Sequence, residues 1–241
     1  MYKNDVNVPG LKKLVIVSDL HIGLENFRSD MWAMQLKDMK DSYWIGLGDI
    51  VEGRPPSHPF FDAVNTQCYM QDQYNKFFKD VKPHSKKCLG LLLGNHEAGH
   101  VRQFTLNPMQ TFCDDNDIPY LGDMALLTLK NKGKKFKILA MHGAGGGAQI
   151  GSAINKLTNF SRTFNPDLAV CGHFHKPALA IDARGAEKAR YNVINGALLD
   201  GYADGSAGSY AEQKMLMPGI PSYTVIYFTD SLAVDYVKFV V

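Results

Sequence analysis

Cysteine is sparse: four residues in 241, at positions 68, 88, 113 and 171, with no C-x-x-C pair among them. Thiols scattered in this way exclude a disulfide framework and imply free cysteines in a reducing compartment. Long apolar runs are missing too, and none approaches the ~18–20 residues that cross a bilayer. The opening MYKNDVNVPGLKK is polar and has no apolar h-region. A formal net charge of +2 provides no molecule-wide attraction to nucleic acid or membrane. Internal repeats, low-complexity tracts and Ser- or Pro-rich linkers are absent. Together these absences predict a cytoplasmic protein with no membrane partner, built as one domain over residues 1–241. What is present agrees: 45% hydrophobic and 21% charged residues, an ordinary globular balance in a chain long enough to bury a substantial core.

Apolar runs alternate with amphipathic stretches. Strands are predicted at 14–18 (LVIVS), 43–47, 88–93 (CLGLLL), 136–141 (FKILAM) and 168–171. Helices are predicted at 29–39, with Met31, Trp32, Met34, Leu36 and Met39 as the apolar set, and at 61–81, 107–115 and 148–160. Pro55, Pro56 and Pro59 mark a loop, and Asn131-Lys132-Gly133 marks a hairpin turn. From about residue 176 the pattern changes to short extended runs at 178–181, 191–194, 222–228 and 233–241. This β-rich part is expected to pack as a second sheet on the first. The alternation of strand and helix places the chain in the α/β class with parallel pairing in its first part. In such sheets ligands gather at the carboxyl ends of the strands.

Each strong strand before residue 176 runs into metal-ligating residue types. LVIVS leads into Asp19-Leu20-His21, the next strand into Gly48-Asp49, and CLGLLL into Gly94-Asn95-His96-Glu97. FKILAM leads into His142-Gly143, and LAVC into Gly172-His173-Phe174-His175. Five of the eight histidines stand at these ends, where chance burial does not concentrate side chains that are costly to desolvate. Asp19 and His21 are two apart, as are His173 and His175, so on an extended segment each pair faces one side. Gly48, Gly94 and Gly172 each precede a ligand, where a tight turn or a close backbone approach is needed. Carboxylate, amide and imidazole donors without thiolate suit Mn²⁺, Fe or Zn²⁺. Seven candidates (Asp19, His21, Asp49, Asn95, His142, His173, His175) are too many for one ion and fit two, with one carboxylate bridging.

The ordered set D-x-H, G-D, G-N-H-E, H-G and G-H-x-H, spanning residues 19 to 175, resembles the calcineurin-like metallophosphoesterase superfamily. The resemblance implies a four-layer α/β/β/α sandwich of two mixed sheets flanked by helices. It implies two divalent ions, Mn²⁺ first, with Fe, Zn²⁺ or Mg²⁺ as alternatives. Asp19, His21 and His175 would hold one ion and Asn95, His142 and His173 the other, with Asp49 between them. His96 would lie outside the metal shell beside the leaving group, with Glu52 keeping its imidazole oriented and charged. The expected activity is two-metal hydrolysis of a phosphate ester by an activated water. The substrate expected is a phosphodiester of a nucleotide or nucleic acid. The alternatives are a phosphomonoesterase, including a phosphoprotein phosphatase, and a binding or scaffold protein without turnover.

Details narrow the branch. The histidine in Gly94-Asn95-His96 departs from the lipid A pathway hydrolases, which have arginine there. Glu97 follows as in the Ser/Thr protein phosphatases, but Glu52-Gly53-Arg54 displaces their motif arginine by one. Ser18 to Gly23 most resembles the double-strand-break repair nucleases. The glycine run 143–151 is either a loop whose N–H groups meet substrate phosphate or a plain surface loop. Lys132, Lys134, Lys135 and Lys137 read as a solvated hairpin or a nucleic-acid contact. Phe160, Arg162 and Phe164 pack in the core or stack bases. His100, Tyr202 and Tyr210 are further candidates to line the pocket.

Overall fold

The structure, a computed structural model, describes residues 1–54, 69–146, 149–185, 188–202, 212, 215 and 217–241. In chain order its elements are β1 (Tyr2–Asn7), β2 (Lys13–Val17), α1 (Ser29–Met39), β3 (Tyr43–Gly46), α2 (Met70–Val81), β4 (Cys88–Leu92), α3 (Asn95–Phe104) and α4 (Pro108–Asp115). There follow β5 (Tyr120–Gly122), β6 (Met124–Asn131), β7 (Lys134–Met141), α5 (Ile150–Arg162), β8 (Leu168–Cys171), β9 (Ala178–Ala183), β10 (Ala189–Ile194), β11 (Tyr223–Phe228) and β12 (Val234–Val240).

Two mixed six-stranded sheets form, ordered β1-β6-β7-β8-β10-β9 and β12-β11-β2-β3-β4-β5. Their packing follows from period-2 alternation. On β2, Leu14 and Ile16 face the other sheet, and Val15 and Val17 face the helices. On β8, Leu168 and Val170 face inward, and Ala169 and Cys171 face α5. The core between the sheets joins Leu14, Ile16, Ile45 and Ile226 to Leu127, Ile138, Val170 and Val193. A second core seats Trp32 of α1, Phe77 of α2 and Phe112 of α4 on the outer face of the β2–β4 sheet. A third seats Ala153 and Leu157 of α5 on the opposite outer face. The result is the α/β/β/α sandwich.

The expected division of the chain between sheets is corrected. The C-terminal strands do not form a sheet of their own: β9 and β10 extend the sheet of β7 and β8, whereas β11 and β12 extend that of β2. β10 lies parallel to β8 and β11 antiparallel to β2, so each completes a buried sheet whose unpaired edge would otherwise be exposed. Three elements have no hydrophobic signature. β1 is a polar edge strand (YKNDVN), β5 is three residues long, and α3 buries only Glu97 and His100. Met34 of α1, expected to be apolar core, is exposed, and Gln35 is buried in its place, donating to the Ile16 carbonyl at 2.8 Å. The proline loop and the first part of the 61–81 helix, through residue 68, lie outside the described residues, as do Cys68 and Tyr210. Cys88, Cys113 and Cys171 are free thiols. Among the described residues, no helix is long and apolar enough to cross a membrane.

Candidate metal centre

The parallel strands β2, β3 and β4 of one sheet, and β7 and β8 of the other, end on the same rim of the sandwich. The segments that leave them are laced together. Asp19 N–H donates to the Gly48 carbonyl (3.0 Å), His21 N–H to that of Asp49 (3.2 Å), and Gly172 N–H to that of His142 (3.0 Å). Gly48 and Gly94 lie back to back; a Cβ on Gly48 would stand 2.1 Å from the Gly94 nitrogen. A Cβ on Gly172 would strike the Asp19 carboxylate at 2.3 Å. These close approaches are why glycine precedes a ligand in three motifs.

The paired ligands converge for a reason other than strand alternation. Asp19, His21, Asp49, His173 and His175 all lie beyond their strands in the left-handed region, with φ of 53°, 47°, 50°, 71° and 56°. Each such non-glycine residue costs about 1–3 kcal/mol and persists only where the surroundings over-determine it. Here the lacing and a buried carboxylate do so. Glu97, 1% exposed in the first turn of α3, accepts the N–H groups of Gly94, Asp49, Ile50 and Val51 at 2.7–3.1 Å. Read in the sequence only as a branch marker, it organises the Asp49 segment. The visible signal was an acid three residues after the helix-capping Gly94.

All seven expected ligands come together. Asp19, His21 and His175 form one group with ligand atoms within 4.8 Å of one another, and Asp49, His142 and His173 form another. Asn95 Oδ1 joins the second, 3.1 Å from His142 Nε2 and 2.9 Å from His173 Nδ1. Asp49 Oδ2 lies 3.1 Å from His142 Nε2 and 3.9 Å from His21 Nε2, so it faces both groups.

Whether these residues suit cations is decided by their outer hydrogen bonds. His142 Nδ1–H donates to the Leu47 carbonyl (2.8 Å), His21 Nδ1–H to Glu52 Oε2 (3.0 Å) and His173 Nε2–H to the Gly145 carbonyl (3.0 Å). In each ring the acceptor fixes the tautomer that turns the other nitrogen's lone pair into the common space, the usual support for a metal-ligating histidine. Charge agrees. Burial works to raise the Asp49 carboxyl, but His96, His142 and His21 hold it well below the ordinary carboxylate range. Asp19 is likewise lowered by His175 against its burial. Burial pushes His21 and His173 downward, favouring the neutral form that ligates, whereas against their burial Asp49 raises His142 to about 9 and Asp19 raises His175, so these two rings release a proton when a cation binds. The donor set fits a pair of hard or borderline divalent cations.

Glu52 and His96 are neighbours, but not as expected. His96 Nδ1–H donates to the main-chain carbonyl of Glu52 at 2.6 Å. The Glu52 carboxylate is 3.5 Å from that nitrogen and bonds His21 and Arg54 Nε (3.1 Å) instead. Burial alone would raise Glu52; His21 holds it down, to about 2. Arg54 Nη2 stands 3.3 Å from His96 Nε2, so the displaced arginine still reaches the site. His100 does not line it; it bonds the Gly53 carbonyl. The described part of the glycine run presents a carbonyl, that of Gly145, and Lys156 anchors it at the Ala144 carbonyl (2.6 Å). Lys132, Lys134 and Lys135 are exposed on a hairpin turned by Lys132 and Gly133, both at positive φ, whereas Lys137 is half-buried on β7. Phe160 is exposed, whereas Phe164 packs against the α5 core.

Residues 12–177 match the family model for the calcineurin-like phosphoesterase. No curated protein sequence matches the chain. Among solved structures, zinc-bound Vps29 from Entamoeba histolytica is similar over 95% of this chain and 97% of its own, at 14% identity and a TM-score of 0.52. YfcE, a phosphoesterase from E. coli, aligns over 94% of this chain and 98% of its own, at 13% identity and a TM-score of 0.49. At 14% identity the likeness to the Vps29 structure shows the fold alone.

Proposed function

Because the chain belongs to the calcineurin-like phosphoesterase family, we propose that it hydrolyses phosphodiesters of nucleotides or nucleic acids with two divalent cations. The observation that carries this reading is the set of imidazoles whose outer nitrogens are committed to fixed acceptors and whose inner nitrogens converge on Asp49. Asp19, His21 and His175 would hold one cation, Asn95, His142 and His173 the other, with Asp49 shared. When bound, such a pair supplies Lewis-acid charge and lowers the pKa of water. Mn²⁺ is the first choice for a site of carboxylate, amide and imidazole donors; Zn²⁺, present in the Entamoeba Vps29 structure, is the next to try.

The chain's own part is positioning. His96, held at Nδ1 by the Glu52 carbonyl, would stabilise or protonate the departing oxygen through Nε2, the nitrogen beside Arg54 Nη2. Arg54, beside that nitrogen, brings a fixed positive charge where phosphate oxygens accumulate negative charge. Glu52 keeps His21 in its ligating tautomer. An open recess of about 620 Å³ is lined by Tyr202, Glu212, Met215, Met217 and Pro218. The next residue, Gly219, is so close that a Cβ would fall 2.4 Å from the His175 carbonyl oxygen. Its size suits a nucleobase-sized group, and Tyr202 presents a stacking face. This favours a nucleotide-like diester over a small monoester.

The test compares bis-(p-nitrophenyl) phosphate with p-nitrophenyl phosphate in Mn²⁺, followed by a panel of cyclic nucleotides, DNA and RNA. Faster cleavage of the diester is expected. Faster cleavage of the monoester would assign a phosphomonoesterase, and no cleavage of either with metal bound would assign a binding protein. His96→Ala is expected to keep its metal and lose most turnover; parallel loss of both would show that His96 serves the metal shell and not the leaving group.

A further inference from the structure

Gly53 sits between Glu52 and Arg54 with φ of +48°, and side chains from two helices hold both of its polar groups. Its N–H donates to Gln73 Oε1 of α2 at 2.9 Å. Its carbonyl accepts from His100 Nε2–H of α3. His100 Nδ1 in turn accepts from the Tyr74 hydroxyl at 3.0 Å. Gln73, Tyr74 and His100 are 1%, 1% and 3% exposed. There is no slack around them: a Cβ on Gly53 would lie 2.1 Å from His100 Cε1, and one on Gly23 would lie 2.2 Å from Gln73 Nε2.

The Gly53 N–H and the Glu52 carbonyl belong to one peptide plane, and that carbonyl holds His96 Nδ1. A trans peptide is rigid and points its N–H and C=O in opposite directions. Gripping the N–H therefore fixes the direction of the carbonyl. The Gly53 carbonyl belongs to the next plane, which leads to Arg54. We propose that Gln73 is a positioning residue for His96, acting across the Glu52–Gly53 peptide, and that His100 fixes the following peptide and thereby Arg54. Neither side chain touches substrate or metal. The inference rests on the proposed function, in which His96 assists the leaving group.

The experiment compares Gln73→Met, which removes the acceptor, with Gln73→Glu, which keeps one. Each is assayed in Mn²⁺ on a dinucleotide, whose alkoxide is a poor leaving group, and on bis-(p-nitrophenyl) phosphate, whose phenolate needs little assistance. Metal content and melting temperature are measured alongside. Gln73→Met should keep its metals, lose about 10- to 100-fold in kcat on the dinucleotide, and lose less than about 3-fold on the nitrophenyl ester. Gln73→Glu should recover most of the loss. Equal losses on both esters, or none, would overturn the proposal. If the parent protein cleaves neither ester with metal bound, the functional reading fails by itself. The positioning claim is then decided by nitrogen-15 NMR of the His96 ring, whose hydrogen-bonded Nδ1–H signal must weaken or shift in Gln73→Met; an unchanged signal would overturn it. Should Gln73→Met not fold, Gln73→Asn, whose shorter side chain stays polar but falls short of the Gly53 N–H, against Gln73→Glu makes the same comparison.

Discussion

Replacing Glu97 by glutamine tests how the centre is built, with no substrate needed. Oε1 of Glu97 accepts from Ile50 (2.7 Å) and Val51 (3.1 Å), and Oε2 from Asp49 and Gly94 (2.9 Å each). An amide of the same shape keeps one accepting oxygen and turns an NH₂ onto the other two N–H groups. Two buried backbone donors are then stranded, each at about 1–3 kcal/mol. Part of this is offset because a neutral amide is less costly to bury than a charge. A net loss of about 3 kcal/mol follows, which for a chain of this length lowers the melting temperature by about 6–12 °C. Calorimetry should be run on metal-free protein, since bound ions would add stability of their own. Hydrogen exchange offers a local readout: the amides of Asp49, Ile50 and Val51 should exchange faster while those of β2 and β3 do not. A variant within about 0.5 kcal/mol of the parent, with those amides still protected, would refute the claim that Glu97 holds the Asp49 segment.

Three further outcomes are expected. Glu52→Gln should weaken metal binding at the Asp19–His21–His175 group more than it alters leaving-group dependence, because its carboxylate serves His21 and its main-chain carbonyl serves His96; metal titration with each ester would reveal the reverse. Gly48→Ala should destabilise by at least about 3 kcal/mol, since its φ is +93° and a Cβ would meet the Gly94 backbone; a urea midpoint close to the parent's would contradict the close approach. Asp38 accepts from Lys13 Nζ and the Tyr223 hydroxyl at 2.8 Å each, and these hold its carboxyl below the usual range although burial works to raise it. A lowered folded-state pKa stabilises above the unfolded value of about 4 and is lost as pH falls through the folded one. Asp38→Asn should therefore lose about 1 kcal/mol at pH 7, with solvent screening discounted, and nothing in strong acid; a difference constant with pH would count against the ion pair.

What the sequence by itself determined is the chemistry of the rim. Asp19, His21, Asp49, Asn95, His142, His173 and His175 each follow an apolar strand, and strands betray themselves through the residues they bury. The bounds of α1 were legible to the residue because an apolar stripe repeats along it, but its buried face was not, since Met34 is exposed and Gln35 is buried through its bond to the Ile16 carbonyl. α3 was not, because its two buried side chains are a glutamate and a histidine, and hydrophobic periodicity carries no trace of a helix buried through polar contacts. The sequence was also silent on sheet membership: β8 and β11 are equally apolar, and only long-range pairing sends one beside β7 and the other beside β2. The tertiary structure likewise decided which atom of Glu52 serves which histidine, since a residue's carboxylate and its carbonyl are indistinguishable in one letter of sequence. It placed Arg54 at His96, and Gln73 and His100 at Gly53, by bringing α2 and α3 against the segment after β3. Ligand types repeat in strand-end motifs, which one-dimensional spacing records; the supports that orient them come from helices elsewhere in the chain, and only the packed fold brings these together.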